Sequence, residues 1–152
     1  MKEKIFITSS SEETRQLAEK LGTLVFSNCL ITLNGQLGAG KTTFTQGLAR
    51  GLEIQRKVTS PTFNILKIYK GTLPLYHIDA YRLEDIDQDL GFEEYIDGDG
   101  VCVIEWSDFL PGMLPEERLN VSLEIMEDDS RKLTFTAEGE RYEQLLEELC
   151  TL

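Results

Sequence analysis

Cys29-Leu30-Ile31-Thr32-Leu33-Asn34-Gly35-Gln36-Leu37-Gly38-Ala39-Gly40-Lys41-Thr42-Thr43 is the stretch that decides the fold. Its first five residues are apolar or β-branched and read as a strand. Residues 35–42 then fit the pattern G-x-x-x-x-G-K-[ST]. Lys41–Arg50 follows as a helix, with Phe44 and Leu48 sharing a face and Gly51 as its stop. Strand, glycine-rich loop and helix in that order make a phosphate-binding loop. Gly35, Gly38 and Gly40 let the backbone turn tightly and aim N–H groups at phosphate oxygens. The helix start adds partial positive charge. Lys41 is placed to reach β/γ-phosphates and Thr42 to ligate Mg²⁺ through its hydroxyl. Thr43 is either a further phosphate contact or an ordinary first-turn threonine.

A loop of this kind needs an acidic partner for the metal, and two strand-like runs end in one. Leu75-Tyr76-His77-Ile78-Asp79 ends in Asp79, and Val101-Cys102-Val103-Ile104-Glu105 ends in Glu105. The second run is the more apolar and reads as a buried central strand. Glu105 is therefore the expected metal partner, and Asp79 is either a candidate to orient or activate an attacking water or a polar strand-end cap. His77 reads as an ordinary strand histidine. Trp106 reads either as a wall of the nucleotide pocket or as a core aromatic. Ser60-Pro61-Thr62-Phe63, with Thr59 before it, lies where a γ-phosphate-sensing loop would lie, although a plain polar turn fits the same residues.

Working outward, residues 5–7 read as a first strand. Ser10 with Glu13 makes a capping-box pattern opening a helix whose inward stripe is Leu17, Ala18 and Leu21, with Gly22 suiting its end. Leu24–Phe26 is a weaker strand candidate. Residues 64–70 and 73–78 read as a hairpin. Residues 84–96 are acidic and read as short helical turns broken by Gly91. Leu119, Val121, Leu123 and Ile125 alternate with polar residues, as do Leu133, Phe135 and Ala137, around a turn at residues 127–130. This is a hairpin with one wet face. Tyr142, Leu145, Leu146 and Leu149 mark a final amphipathic helix. The expectation is a single α/β domain over residues 1–152, a P-loop NTPase-like fold with a mixed central sheet flanked by helices.

The 152 residues, 41% hydrophobic and 28% charged, are an ordinary globular balance that argues against disorder. No apolar run is long enough for a transmembrane helix, and the first residues do not look like a signal peptide. Cys29, Cys102 and Cys150 are odd in number and far apart. They support neither a disulfide scaffold nor a zinc site, and read as reduced core thiols of a cytoplasmic protein. The net charge of −12 is uneven. Residues 1–71 hold ten Lys/Arg against five Asp/Glu, and residues 72–152 hold five against twenty-two. A broad nucleic-acid face on the second half is thereby disfavoured.

Two absences narrow the chemistry. No Asn-Lys-x-Asp run specifies guanine. After residue 71 the arginines are Arg82, Arg118, Arg131 and Arg141 only, a thin supply for the cationic clamps of a small-molecule kinase. A kinase and a nucleotide-gated protein-binding module without required hydrolysis stay open as alternatives.

The chain as a whole resembles the bacterial TsaE family of tRNA threonylcarbamoyladenosine biosynthesis proteins. The resemblance rests on residues 33–44, Ser60-Pro61-Thr62-Phe63, Tyr76-His77-Ile78-Asp79-Ala80-Tyr81-Arg82-Leu83, Gly91-Phe92-Glu93-Glu94-Tyr95 and Ile104-Glu105-Trp106, in that order. It implies a small P-loop ATPase, using ATP and Mg²⁺, needed for the threonylcarbamoyl modification of adenosine 37 in tRNA. It implies a partner, the TsaD–TsaB complex, with tRNA contact within that assembly. It implies phosphates on Gly35, Gln36, Leu37, Gly38, Ala39, Gly40, Lys41, Thr42 and Thr43, and Mg²⁺ on Thr42 and Glu105. Asp79 becomes an essential carboxylate, and Lys41, Asp79 and Glu105 become the catalytic set. Trp106 and Arg131 line the nucleotide pocket, with Ser10 and its neighbours near the adenine. Gln36 replaces the family's commoner Asp, with little expected effect because the loop binds through its backbone.

Overall fold

A computed structural model describes residues 1–36, 38–59, 66–79, 93–105 and 114–151. The described strands form one seven-stranded mixed sheet. In chain order they are β1 (Lys2–Thr8), β2 (Cys29–Gly35), β3 (Leu66–Tyr69), β4 (Leu75–Asp79), β5 (Val101–Glu105), β6 (Arg118–Ile125) and β7 (Arg131–Glu138). Across the sheet they run β1-β7-β6-β2-β5-β4-β3. The helices are α1 (Ser11–Leu24), α2 (Lys41–Gly51), α3 (Glu93–Ile96) and α4 (Glu140–Thr151).

The four central strands, β4, β5, β2 and β6, are mutually parallel, and β3 and β7 pair antiparallel at either side. β1 pairs antiparallel with β7 and so runs with the parallel set. The carboxyl ends of β1, β2, β4, β5 and β6 therefore gather at one edge. Open α/β sheets offer their ligand crevice at that edge.

Burial follows the expected patterning. All five residues of β5 are buried, as are Cys29–Leu33 of β2, because both faces of these strands are covered. On one face Ile31, Leu33, Val103, Val121 and Phe135 pack with Ala18 and Leu21 of α1, Phe44 and Leu48 of α2, and Leu145 and Leu146 of α4. The other face carries a smaller cluster of Leu30, Ile78, Ile96, Cys102 and Ile104. β6 and β7 alternate as expected, with Leu119, Val121, Leu123, Leu133, Phe135 and Ala137 inward, while Ile125 at the strand end is exposed.

Three local expectations change. Gly22 does not end α1, which continues to Leu24. It serves close approach instead. A Cβ there would lie 2.4 Å from the Leu48 carbonyl oxygen, and one at Gly47 would lie 2.3 Å from that of Arg15. The two helices touch backbone to backbone, which fixes where α2 begins relative to the sheet. Leu24–Phe26 is not a strand, since Leu24 closes α1 and Val25 caps it by donating to the Leu21 carbonyl. In the capping box, Ser10 Oγ accepts from the Glu13 N–H at 3.1 Å, but Glu13 reaches back to Ser9, not Ser10.

The cysteines also divide. Cys29 and Cys102 are buried, and burial pushes both thiols up to about 12, so neither supplies thiolate near neutrality. Cys150, on the last turn of α4, is exposed and is not a core thiol. Ellman's reagent at pH 8 is expected to titrate one thiol rapidly in the native chain and the remaining two only after denaturation. A Cys150→Ser variant removes the fast phase.

Candidate functional site

The loop between β2 and α2 opens at the carboxyl edge of the sheet. Gly35 ends β2 where a Cβ would lie 2.6 Å from the Leu123 carbonyl oxygen of neighbouring β6. Gly40 precedes α2 with φ of 107°, a left-handed conformation that costs an L side chain strain. Gln36 is exposed and Ala39 buried, and the Ala39 N–H closes onto the Gln36 carbonyl at 3.0 Å. The first N–H groups of α2 lack an intrahelical partner and carry the positive end of its dipole.

Lys41 is the first residue of α2 and is only 7% exposed. Its Nζ donates to the Gly35 carbonyl at 2.7 Å and to the Gln36 carbonyl at 3.1 Å. The ammonium is thus held across the loop's mouth. Burial pushes its pKa down, while the carboxylates of Glu105 and Asp79 oppose that shift. The sheet sets both acids on the side of that lysine. Glu105 lies in register with Leu33 on β2, and Asp79 in register with Glu105 on β4. Paired residues of parallel strands share a face, so both carboxylates stand on the α2 face at the strand ends. Glu105 is 4% exposed. Thr42 and Thr43 follow on the first turn of α2, both half-buried.

This donor set fits Mg²⁺. Magnesium takes one or two protein oxygens and completes its shell with water and phosphate. A hydroxyl on the first turn after the loop, and a buried carboxylate one strand away, are oxygen donors of that type. Thr42 and Glu105 would hold the ion. Among the described residues no group of three acidic, histidine or cysteine side chains makes a self-sufficient metal cage.

A hollow of about 150 Å³ adjoins the loop. It is lined by Ser9–Ser11 and Thr14, by Gly38, Gly40 and Thr43, and by Asp129 and Arg131. The topology explains the company: the β1–α1 connection and the β6–β7 turn leave the same edge as the β2–α2 loop. Ser10 and Arg131 are therefore brought beside it. Ser10 Oγ is also the α1 cap, and Arg131 is folded onto its own turn, donating to the Asp129 carbonyl at 2.7 Å. Thr14 and Asp129 were not anticipated. For Asp129 the available signal was its place in the turn between two strands; Thr14 carried none. Leu37, Ser60–Phe63, Arg82 and Trp106 lie outside the described residues.

His77 is the strand histidine expected, but with a partner that its place in the sequence does not show. The histidine is fully buried, and its Nε2 lies 2.9 Å from Glu105 Oε2. The spacing His77-x-Asp79 signals only the face, because alternate residues of a strand share one. His77 thus stands on the face of Asp79 and Glu105.

The model for "Threonylcarbamoyl adenosine biosynthesis protein TsaE" matches residues 8–133. The tRNA threonylcarbamoyladenosine biosynthesis protein TsaE of Bacillus subtilis is 50% identical over 150 residues, covering 98% of this chain and 95% of that protein. The protein of the same name from Treponema pallidum is 42% identical over 130 residues, covering 84% of this chain and 96% of its own. The crystal structure of YdiB from Bacillus subtilis superposes with a TM-score of 0.87 at 44% identity, covering 99% of this chain and 95% of YdiB.

Proposed function

This chain belongs to the TsaE family and has its role in the biosynthesis of threonylcarbamoyladenosine in tRNA, and from that premise we propose that it acts there as a Mg²⁺-dependent ATPase, slow alone and activated by the TsaD–TsaB transferase complex. One observation carries the reading. The buried Lys41 spans the loop mouth while feeling the carboxylates of Glu105 and Asp79, which end two adjacent parallel strands.

Each residue has a task in that scheme. The backbone of residues 35–43 cradles the phosphate chain, and the α2 N-terminus adds its dipole. Lys41 draws charge toward the β/γ-phosphates. Thr42 and Glu105 hold the Mg²⁺, which when bound neutralises charge developing on the phosphate oxygens. Asp79, one strand beyond Glu105, orients the attacking water. Ser10 and Arg131 in the adjoining hollow supply the nucleoside side. Among the described residues, Lys41 and Arg131 are the cations at the loop and its hollow. A partner that adds positive charge toward the transferring phosphoryl group would complete the site.

The test is ATP hydrolysis in Mg²⁺, with and without purified TsaD–TsaB. The expected result is slow turnover alone, a clear rise with the complex, and none in EDTA. An unchanged rate at saturating complex, with that complex active alongside its own cognate TsaE, overturns the activation. A phosphorylated small molecule formed in step with ADP would make the protein a kinase instead.

A further inference from the structure

His77 and Glu105 form a buried pair of which the scheme above uses only Glu105. The ring is 0% exposed and the carboxylate residue 4%, and they meet at 2.9 Å through Nε2 and Oε2. The second ring nitrogen, Nδ1, is buried with no hydrogen-bond partner among the described residues. These two facts select a tautomer. With the hydrogen on Nε2, the ring donates to the carboxylate and leaves only a lone pair unsatisfied. With the hydrogen on Nδ1, a buried N–H has no acceptor, and a ring lone pair faces carboxylate oxygen. An unpaired buried donor costs about 1–3 kcal/mol, and the facing lone pairs add repulsion.

The pair also has a fixed place. His77 is in register with Val103, and Asp79 with Glu105, so the ring reaches from the preceding inward position of β4 to the last residue of β5. β5 in turn neighbours β2, which feeds the phosphate loop. A glutamate at a strand end has three side-chain torsions to fix. A rigid, fully packed ring bonded to one of its oxygens removes that freedom. Outer partners that orient ligating carboxylates typically matter by 10–100-fold in metal affinity.

We infer that His77 is a positioning residue for the metal site: its Nε2–H ties Glu105 Oε2 and thereby presents the other oxygen to Mg²⁺ or its water. The inference rests on the Mg²⁺–ATP reading and adds to it a residue that touches neither metal nor nucleotide.

Fluorescence titration of a mant-labelled ATP analogue, in EDTA and over a range of Mg²⁺, measures the tightening that the ion confers. For His77→Leu the expected result is nucleotide affinity in EDTA like that of the parent, with apparent Mg²⁺ affinity about 10–100-fold weaker. His77→Gln, whose amide N–H reaches the Nε2 position, is expected to recover most of the loss. A Leu variant that couples Mg²⁺ as the parent does overturns the inference alone, as does a Gln variant no better than Leu. A parent whose nucleotide affinity ignores Mg²⁺ overturns the metal reading itself. A second measurement needs no variant. His77 is the chain's only histidine, so long-range ¹⁵N–¹H correlation of the labelled parent shows one imidazole. Protonated Nε2 with bare Nδ1 is expected, and the reverse tautomer overturns the inference.

Discussion

Lys41→Ala is expected to abolish Mg²⁺-dependent ATP turnover, with a fall of about 100-fold or more in the partner-stimulated rate. Lys41 is anchored by its backbone in the first turn of α2, and its ammonium is held at 2.7 Å and 3.1 Å by two carbonyls of the loop that would wrap the phosphates. A charge preset in a partly dry site costs no reorganisation when negative charge develops on phosphate oxygen, and alanine leaves nothing in its place. The fold is expected to survive. Burial lowers the lysine's pKa, so the folded chain holds this proton less tightly than the unfolded one. The resulting penalty is fully present below the lowered folded value. It is relieved as pH rises toward the ordinary value of lysine. Removing the ammonium removes that penalty along with the hydrogen bonds to the Gly35 and Gln36 carbonyls, so the unfolding midpoint near neutrality is expected to stay close to the parent's. ADP release and thermal denaturation check the two halves separately. The parent's midpoint should climb on adding Mg²⁺–ATP, since saturating ligand at 100 times its Kd contributes about 2.7 kcal/mol. That climb should be much reduced in the variant while its ligand-free midpoint stays in place. A ligand-free midpoint several degrees lower would assign the lost activity to misfolding.

Much of this arrangement is legible in the chain because the residues concerned answer to local rules. Gly35 to Thr42 carry their own pattern, and the apolar run Val101–Ile104 announces a strand covered on both faces. The alternation in residues 119–125 and 133–137 places a hairpin without reference to anything distant. What escaped depends on long-range pairing. Gly22 looks like a helix end by residue type, and only its approach to the Leu48 carbonyl, 26 residues away, gives its role. Leu24–Phe26 is apolar enough for a strand, yet Leu24 completes the helix that packs on α2. His77 is unremarkable alone. Its meaning comes from the parallel register that sets β4 beside β5, and a single sequence does not carry register between strands more than twenty residues apart. Ser10 and Arg131 meet at one hollow for the same reason, since β1 joins the far side of the sheet through β7.

Glu105→Gln is the sharper probe of whether hydrolysis is needed at all. The more obvious Glu105→Ala would leave the Nε2–H of His77 buried without its acceptor, at about 1–3 kcal/mol, mixing a stability defect with a catalytic one. Glutamine keeps the volume in a site that is 4% exposed, and its amide oxygen still accepts from His77 at the position of Oε2. Only the negative charge goes. Without it the proposed Mg²⁺ site would lack its carboxylate, and ATP hydrolysis is expected to fall by about 100-fold or more. Nucleotide binding should weaken in Mg²⁺ and stay near the parental value in EDTA. Since weaker binding alone could starve the reaction, the decisive assay is tRNA threonylcarbamoylation with TsaD–TsaB at ATP high enough to saturate the variant. If hydrolysis resets the assembly between cycles, the variant supports a single round of modification per transferase complex and then stalls, whereas the parent continues. Full, continuing modification by a saturated variant that hydrolyses nothing would make the nucleotide a gate and its hydrolysis incidental. The charge at Glu105 thus separates an ATPase that drives turnover from a module that merely senses ATP.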